Sequence, residues 1–404
     1  MNANWNPITL GDFVAMQRGH DLTASERRPG TIPVFGAAGQ NGFHDTALAK
    51  GPGIVIGRCG GSFGQVHFCD TDFWPHNTGL YVTDFKGNDP YFAYYLLKWL
   101  DFDSYNSGSA QPSLNRNFIY PIRIRVPNPR EQHRIAAVLS ALDAKIELNH
   151  RINAELEGLA KLLYDYWFVH FEFPLTAAQA AALGKPKLAG HPYQSSGGPM
   201  VHDPQLKRKI PKGWKVGPIA DLCHLNQRAW GTANAPASVI YLDLANVKNG
   251  EILDFQEYEW VKAPSRARRI LTHGDTIIGT VRPGNRSFAM VPKSAEILTG
   301  STGFAVLTPR AETYREYNYL ALTSDVNIER LTVVASGAAY PAVNPEAVAA
   351  HTIAQPDQDS ISRFHSAARS AFSLIENNNQ QTQELTALRD WLLPLLMNGQ
   401  VRVG

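Results

Sequence analysis

Residues 108–115 read GSAQPSLN and residues 337–344 read GAAYPAVN, so Gly, Pro and Asn recur 229 positions apart. A second set recurs at the same distance, pairing Ile146, Glu147, Asn149, Glu155, Leu156, Leu159 and Leu163 with Ile375, Glu376, Asn378, Glu384, Leu385, Leu388 and Leu392. Similar amphipathic helices would explain the second match but not the first. Because chance matches would not share one offset, we infer that the chain is an internal duplication.

A looser correspondence lies upstream of each copy. Residues 54–58 read IVIGR and residues 276–280 read TIIGT, while residues 77–80 read NTGL and residues 301–304 read STGF. These offsets run from 222 to 224, so loops differ in length between the copies. The predicted order is therefore globular unit, helix, connection, globular unit, helix.

A long helix is predicted after the first globular unit. Asn128 is a suitable N-cap, Pro129 suits the first helical position, and Glu131 lies three residues after the cap. A helix over residues 131–168 would measure roughly 57 Å at ~1.5 Å per residue. A second helix is predicted over residues 356–397.

Both helices carry an apolar seam with the spacing of a heptad pattern. Two such seams can bury each other, and a duplication favours an antiparallel coiled coil with pseudo-two-fold symmetry. The alternative is that each helix packs only on its own globular unit. The predicted seam consists of Leu139, Leu142, Ile146, Asn149, Leu156 and Leu163 in the first helix and Ile375, Asn378, Leu385 and Leu392 in the second, with the two Asn residues setting the register.

The predicted fold class is mixed α/β, with strands and helices interleaved in both globular units. Strands are expected at residues 53–57, 79–83, 121–126, 239–242, 276–279 and 303–307, and helices at 91–100 and 315–331. The predicted segments are unit 1–127, helix 128–173, connection 174–210, unit 211–355, and helix with tail 356–404.

Two further segments have open interpretations. The connection ends in the basic residues Lys207, Arg208, Lys209 and Lys212, which would either contact phosphate or form a solvated charge run. The apolar residues 162–173 and 391–397 exceed what one helix seam needs, so they predict a partner surface. The alternative for these apolar residues is burial against residues 173–210.

Composition sets the broad class of protein. The chain has 404 residues, 44% hydrophobic and 18% charged, with a formal net charge of +2. These values are ordinary for a globular protein of two or three domains. A nucleic-acid-binding domain is usually more basic, so local patches or partner subunits would supply most of the phosphate neutralisation.

The three cysteines, Cys59, Cys69 and Cys223, favour a reducing compartment over a disulfide framework. Cys59, His67 and Cys69 lack a fourth ligand at regular spacing, so buried cysteines are favoured over a zinc site. Residues 1–10 lack the pattern of a signal peptide, and no run approaches ~18 apolar residues. We therefore expect a cytoplasmic protein without a membrane span or a bound metal.

Catalytic signatures are absent from the sequence. It contains no Gly-x-x-x-x-Gly-Lys-Ser/Thr phosphate loop, no Asn/Asp-Pro-Pro-Tyr/Phe tetrapeptide of amino-methyltransferases and no Glu-x-Lys. The runs at residues 84–86 and 143–145 read Asp-x-Lys, but neither has a convincing upstream acidic partner for a metal-dependent nuclease. Glycine-dense residues 57–64 lack the spacing of a dinucleotide loop. The sequence therefore predicts a chain without its own catalytic centre.

The whole chain resembles the specificity subunits of type I restriction–modification systems. Its segments resemble, in order, the body of a target recognition domain (residues 54–58, 60–66 and 73–78), the segment before the conserved helix (107–118), the central conserved region (131–168) and the distal one (388–401). No single motif decides the resemblance. The order and the duplication together make it specific.

The resemblance implies that residues 1–127 and 211–355 are target recognition domains, each reading one half of an asymmetric bipartite DNA site. It also implies that the paired helices set the unread spacer and dock two methyltransferase subunits, which two restriction/translocase subunits would join. The chain itself would be non-catalytic, and S-adenosylmethionine, ATP and Mg²⁺ would bind to partner subunits that methylate adenine and cleave DNA. Readers one turn of DNA apart are ~34–36 Å apart, within the span of such helices.

Base contacts require side chains with suitable donors and acceptors, and phosphate contacts require basic side chains. For each candidate, an ordinary surface position is the alternative. In the first unit the candidates are Arg27, Arg28, Gln40, Asn41, His44 and Arg58. In the second they are Arg228, Arg266, Arg268, Arg269, Arg282, Asn285, Arg286 and Tyr340, which replaces Gln111 in the repeat. Gly108, Pro112 and Asn115, with Gly337, Pro341 and Asn344, are interpreted as structural turn residues.

A second function is compatible with the same segments. The chain would then be an assembly scaffold whose recognition units no longer read DNA. The many Arg and Asn residues in the diverged loops favour the reader. Salt-dependent, sequence-specific binding would separate the two functions.

Overall fold

The computed structural model describes residues 5–106, 112–337 and 340–403. The chain divides into two compact units: unit 1 comprises Met1–His150 and Gln380–Gly404, and unit 2 comprises Arg151–Asn379. Gly108 and Gln111 of the repeated turn lie outside the described residues. Within the described part of the chain, no helix combines the length and the apolar character needed to cross a membrane.

Unit 1 is built around a four-stranded antiparallel sheet. Its elements are β1 (Asn6–Thr9), α1 (Leu10–Phe13), β2 (Ala15–Arg18), β3 (Ile32–Gly36), β4 (Gly39–His44), β5 (Gly53–Gly57), β6 (Val66–Cys69), β7 (Trp74–Pro75), β8 (Gly79–Asp84), α2 (Pro90–Trp99), α3 (Arg116–Ile119), β9 (Arg123–Val126) and the start of α4 (Pro129–Tyr164). The sheet has the order β2-β8-β5-β6, and a smaller sheet has the order β4-β3-β7. Strand β5 is buried along its whole length, which explains its uninterrupted apolar sequence.

Unit 2 contains the remaining elements, beginning with the end of α4 and a π-helical turn at Asp165–Val169. They are α5 (Ala177–Ala182), β10 (Met200–Asp203), β11 (Arg208–Pro211), β12 (Lys215–Pro218), β13 (Cys223–Leu225), β14 (Ser238–Leu242), β15 (Val247–Lys248), β16 (Glu251–Ile252), β17 (Gln256–Glu259), β18 (Ala267–Leu271), β19 (Thr276–Gly279), β20 (Phe288–Met290), β21 (Leu298–Ser301), β22 (Phe304–Pro309), α6 (Arg315–Thr323), α7 (Asp325–Val334), α8 (Pro345–Ala349), β23 (Thr352–Gln355) and the start of α9 (Gln358–Met397). The end of α9 belongs to unit 1.

The units share a four-stranded sheet and a two-stranded antiparallel sheet, which is β1-β9 in unit 1 and β12-β23 in unit 2. The antiparallel sheet β13-β22-β19-β20 of unit 2 has the same strand order and pairing directions as β2-β8-β5-β6 of unit 1. The repeated segment bonds to the end of its central strand in both, since Leu114 N–H donates to Arg58 O at 2.8 Å and Val343 N–H donates to Thr280 O at 2.9 Å. The units differ in a further sheet, which has three strands in unit 1 and four, ordered β17-β14-β21-β18, in unit 2.

The predicted start of the first helix is confirmed. Helix α4 begins at Pro129, and the Glu131 backbone N–H donates to the Asn128 side-chain oxygen at 3.0 Å. At the start of α9 the Asp357 carboxylate accepts from the Ser360 N–H at 2.7 Å. Asn128 and Asp357 are 229 positions apart, so the cap belongs to the repeat. An acceptor here satisfies a backbone N–H that lacks a partner in the first turn.

The predicted helix over residues 315–331 is wrong as a single element. Ser324 has an extended backbone (φ −57°, ψ 145°) and separates α6 from α7. Its hydroxyl accepts from the Asn327 N–H at 3.3 Å, so it caps the start of α7. A serine favours this position because its side chain competes for backbone hydrogen bonds inside a helix.

The segment predicted as a connection, residues 174–210, is a folded part of unit 2. It contains α5 and the hairpin β10–β11. Phe173 stacks on Tyr193 and Trp214, with ring centroids 4.5 Å and 5.2 Å apart. The core of unit 2 buries four of the apolar residues that were considered for a partner surface: Trp167, Phe168, Phe171 and Phe173. For these residues the alternative interpretation, burial inside the unit, is therefore the correct one.

The long helices contact each other within each unit. In unit 1, Arg389 donates to the Asp143 carboxylate at 2.8 Å and Asn149 Nδ2 donates to Gln381 Oε1 at 3.0 Å. In unit 2, Asn378 Nδ2 donates to Asn153 Oδ1 at 2.9 Å. The ten predicted seam residues are all buried or half-buried.

A buried charge cluster fixes α9 to α6 in unit 2. Glu316 is fully buried and accepts from Arg315 Nε at 2.9 Å and from His365 Nδ1 at 2.5 Å. Arg315 and His365 are also buried, at 8% and 7% exposure. A buried carboxylate is tolerated here because both of its oxygens have charged or polar donors.

We predict that Glu316→Ala lowers the free energy of unfolding of unit 2 by about 3–5 kcal/mol, because it leaves the Arg315 guanidinium buried without its partner. Urea denaturation followed by tryptophan fluorescence measures the change. The control is Glu312→Ala, an exposed position where we expect a change within about 0.5 kcal/mol. Equal stabilities of the two variants would show that the cluster does not hold α9.

Candidate nucleic-acid interface

A concave surface of about 560 Å³ lies beside the turn that follows β19 in unit 2. Its polar lining residues are Lys248, Asn249, Arg282, Asn285, Arg286 and Ser287. Three of them were predicted DNA contacts from the sequence: Arg282, Asn285 and Arg286. The structure therefore brings these residues together with three that the sequence did not indicate, Lys248, Asn249 and Ser287.

Lys248 ends β15, and Asn249 lies in the tight turn between β15 and β16. Asn249 and Gly250 have φ values of +49° and +93°, the two positive values that an Asn-Gly hairpin turn requires. The Asn249 N–H donates to Arg286 O at 2.9 Å, which fixes the hairpin to the turn after β19. The Asn-Gly pair was the sequence signal for this hairpin. Its contact with Arg286 depends on the tertiary fold.

The turn after β19 presents Arg282 against Tyr340. The Arg282 guanidinium lies 4.8 Å from the centroid of the Tyr340 ring, which is 71% exposed. The Arg282 N–H donates to Pro341 O at 2.7 Å, so the repeated segment supports this turn. A cation over an exposed ring forms a flat surface with hydrogen-bond donors at its edge.

Arg286 has a different environment from Arg282. Its Nε donates to Asn249 Oδ1 at 3.0 Å, and its terminal nitrogen lies 2.7 Å from the Asp325 carboxylate. Its backbone has φ +60°, a left-handed conformation that is uncommon for a non-glycine residue. These contacts tie the turn to β15 and α7, so Arg286 supports the surface.

A second basic group in unit 2 lies along β18. Arg228 and Arg266 are exposed, and neither side chain makes a hydrogen bond or ion pair with the residues that the structure describes. The Ile270 N–H donates to Arg228 O at 3.2 Å, which places Arg228 beside this strand. Arg268 lies 4.4 Å from the Trp260 ring centroid, and burial lowers the pKa of Arg269.

In unit 1 the candidates lie around the hairpin β3–β4. Gln40 and Asn41 are exposed on β4. Arg27 donates to the Asn41 backbone oxygen at 2.7 Å and to its side-chain oxygen at 3.1 Å, so this arginine orients Asn41. Phe43, which the sequence analysis did not select, is 54% exposed on the same strand.

The structure places two other candidates of unit 1 in internal contacts. Arg28 forms a paired contact with Asp45, at 2.5 Å and 2.9 Å, and these hydrogen bonds lower the pKa of Asp45 to about 2. His44 was predicted as a DNA contact, but it is only 3% exposed and packs edge-on against Trp74 at 5.1 Å. Because its side chain packs against Trp74 inside unit 1, we correct its assignment to a supporting residue.

Arg58 lies at the end of β5, the strand equivalent to β19. Its terminal nitrogen donates to Asn77 O at 3.3 Å. The following turn, Gly60–Ser62, occupies the same place after its strand as Pro283–Asn285 in unit 2, but its residues are Gly, Gly and Ser instead of Pro, Gly and Asn. In the described ranges, no group of three or more His, Cys, Asp or Glu residues is arranged to hold a metal ion.

Comparisons with known proteins indicate the relatives of this chain. Residues 2–158 match the model of the type I restriction modification DNA specificity domain. The chain is 25% identical over 324 residues to the type I restriction enzyme MjaIX specificity subunit of Methanocaldococcus jannaschii, covering 77% of this chain and 69% of the relative. It is 22% identical over 342 residues to the HindI specificity subunit of Haemophilus influenzae, covering 72% and 71%.

A solved structure has the same fold over nearly the whole chain. The S subunit of a type I restriction–modification system from M. genitalium superposes with a TM-score of 0.60 at 18% identity. The superposition covers 98% of this chain and 96% of the other. The resemblance stated from the sequence is confirmed by these comparisons, and the mixed α/β class agrees with the fold.

We predict that Arg286→Ala lowers the free energy of unfolding of unit 2 by about 1–2 kcal/mol, because it removes the hydrogen bond to Asn249 and the ion pair with Asp325. The matched control is Arg266→Ala, which removes the same charge from an exposed position and should change stability by less than about 0.5 kcal/mol. Urea denaturation of both variants provides the comparison. A loss of stability in Arg266→Ala as large as that in Arg286→Ala would argue against the supporting position of Arg286.

Proposed function

All three comparisons indicate a type I restriction–modification specificity subunit, and on that premise we propose that the two units each read one half of an asymmetric bipartite DNA site. The observation that carries the proposal is the pattern of likeness between the units. The sheets β2-β8-β5-β6 and β13-β22-β19-β20 have the same strand order, while the sheets β4-β3-β7 and β17-β14-β21-β18 differ, as do the adjoining turns. A common scaffold with different surface loops is the arrangement expected of two readers with different half-sites.

In unit 2, we propose that Arg282, Asn285 and Lys248 contact base edges and that Arg228 and Arg266 contact phosphates. Arginine and asparagine pair with guanine and adenine edges through two hydrogen bonds each. Asn285 and Lys248 are exposed and line the same concave surface as Arg282. In unit 1, Gln40 and Asn41 would contact base edges.

The remaining candidates are assigned by their contacts. Arg27 and Arg286 hold the loops that carry the readers. Arg58 would contact phosphate, and Arg28 would do so by exchanging its bond to Asp45 for a phosphate oxygen. Arg268, Arg269 and Tyr340 would support the surface of unit 2.

We further propose that α4 and α9 form an antiparallel coiled coil that sets the spacer. Asn149 Nδ2 lies 3.3 Å from Thr382 Oγ1, and Asn378 Nδ2 lies 2.9 Å from Asn153 Oδ1. A shift of 229 residues converts the first pair of positions into the second, which supports pairing about a two-fold-like axis. Helices of 36 and 40 residues measure about 54 Å and 60 Å, enough to separate readers by one turn of DNA.

Exposed apolar residues at equivalent positions support the docking of two methyltransferase subunits. Leu159 and Leu162 on α4 are 62% and 66% exposed. Leu388 and Trp391 lie 229 positions later on α9 and are 42% and 62% exposed. A patch that occurs twice in a duplicated chain fits two copies of one partner.

The chemistry of the assembled complex would then belong to its other subunits. We propose that S-adenosylmethionine, ATP and Mg²⁺ bind to the two methyltransferase and two restriction/translocase subunits, with adenine as the methylated base. The chain itself acts as the non-catalytic reader in the cytoplasm, where its DNA ligand is found.

The test of the proposed function is methylation mapping in a host that expresses this chain with its methyltransferase subunit. We predict a single asymmetric bipartite motif for the unchanged chain. The double variant Arg282→Ala, Asn285→Ala should relax one half-site and keep the other, because each contact contributes about 1–3 kcal/mol of base discrimination. Gln40→Ala should relax the opposite half-site.

Two results would count against this function. Loss of both half-sites in either variant would exclude independent readers. A stable complex that produces no sequence-specific methylation would favour the alternative function, an assembly scaffold.

For docking, we predict that Leu162→Glu and Trp391→Glu each reduce the complex from two methyltransferase subunits to one, and that the double variant binds none. A charge in an apolar contact is costly because it is buried without a partner. The control is Leu148→Glu, since Leu148 is 40% exposed on α4 and its counterpart 229 positions later is the polar Asn377. Native mass spectrometry gives the stoichiometry, and two bound subunits in the double variant would disprove this docking site.

A further inference from the structure

Residues 174–215 carry an unusual concentration of positive charge. They contain six lysines and one arginine but a single acidic residue, Asp203, whereas the whole chain has a net charge of only +2. The rest of the chain is therefore net negative. The lysines are Lys185, Lys187, Lys207, Lys209, Lys212 and Lys215.

All six lysines are exposed. Among the residues that the structure describes, no carboxylate lies within ion-pair distance of any of them. Lys209 lines a concave surface of about 650 Å³ with Tyr166, His170 and Gln194. The acidic residue on this surface, Glu172, is engaged by Ser195, whose backbone N–H donates to it at 3.0 Å.

The segment that presents these lysines is held in place. Arg208 lies over the Phe171 ring at 4.4 Å and donates to Val169 O, so this residue has an internal role. Trp214 Nε1 donates to the Asp357 carboxylate at 3.3 Å. A surface ordered in advance loses less conformational freedom when it binds a ligand.

We propose that the lysines of residues 185–215 bind the sugar–phosphate backbone of duplex DNA without regard to its sequence. This inference rests on the proposed function, since it supplies the phosphate neutralisation that the nearly neutral chain otherwise lacks. Lysine is a mobile point charge without the planar fork of arginine, so it suits phosphate contacts more than base readout.

The composition of the surface favours DNA over an acidic protein partner. Protein interfaces usually have an apolar centre, whereas Val201 is the one large hydrophobic residue of this segment that is substantially exposed among the described residues. Six lysines against one acidic residue also give the segment a positive charge, which attracts a polyanion.

The experiment compares the full-length chain with the double variant Lys209→Ala, Lys212→Ala. Binding to a fluorescein-labelled duplex of random sequence is measured across a series of salt concentrations. We expect the slope of log affinity against log salt to fall by about 2, and affinity to fall roughly tenfold to a hundredfold near 0.1 M salt. The variant Lys209→Arg, Lys212→Arg should retain the original slope.

A matched control removes the same charge elsewhere. Lys50 and Lys293 are exposed, one in each unit, and Lys50→Ala, Lys293→Ala should leave the slope unchanged. An equal effect of this control would show a dependence on net charge alone and would overturn the proposal.

Four other outcomes also bear on the proposal. An unchanged salt slope in the Lys209, Lys212 variant would overturn the proposal, as would weaker binding confined to a duplex that carries the methylated motif. Loss of methyltransferase assembly with unchanged DNA binding would assign the surface to a protein partner instead. Failure of the unmodified chain and of its methyltransferase complex to bind any duplex would reject the proposed function itself.

Discussion

The burial of the ends of the two long helices is the constraint on which the rest of the structure depends. The first turns of α4 place Ile135 and Leu139 in the core of unit 1, while its end places Tyr164 in the core of unit 2. Helix α9 has the reverse order, with Phe364 in the core of unit 2 and Leu396 in that of unit 1. Each large apolar side chain contributes about 1.5–3 kcal/mol through burial. Each helix end is therefore held by the core of the unit that buries it.

The two units share a repeated scaffold and differ in the surface turns that it carries. The central strands β5 and β19 are buried on both faces and receive the repeated segment at the same backbone positions. A substitution there changes the core. The turn Gly60–Ser62 has no buried residue and the turn Pro283–Asn285 has only Pro283 buried, so their other positions can differ in sequence without altering the sheet.

Local sequence signals predicted the elements that depend on local physics. The bounds of β5 and β19 agreed with the prediction because short apolar runs between glycines favour buried strands. The Asn128 cap was predictable because its acceptor serves an N–H three residues away. Ser324 carried a similar signal, but the surrounding apolar pattern hid the break between α6 and α7. The folding of segment 174–210 depends on the stacking of Tyr193 on Phe173, which its Ala- and Gly-rich sequence does not reveal.

The candidate interface was predictable only in part, because some of its residues are brought together by contacts between segments distant in sequence. Arg282 and Asn285 were identified from their polar turn, whereas Lys248 joins them because the Asn249 N–H bonds to Arg286 across a sequence separation of 37 residues. His44 was misassigned because its burial depends on Trp74.

The glycine turn of unit 1 leaves space that the molecule does not use. A Cβ added at Gly61 would meet no atom within 4 Å. A side chain could therefore be added at this position without displacing the core, and we expect little change in the free energy of unfolding. Unit 1 thus has a surface position at which a single substitution can introduce a new side chain, while the repeated scaffold beneath it stays unchanged.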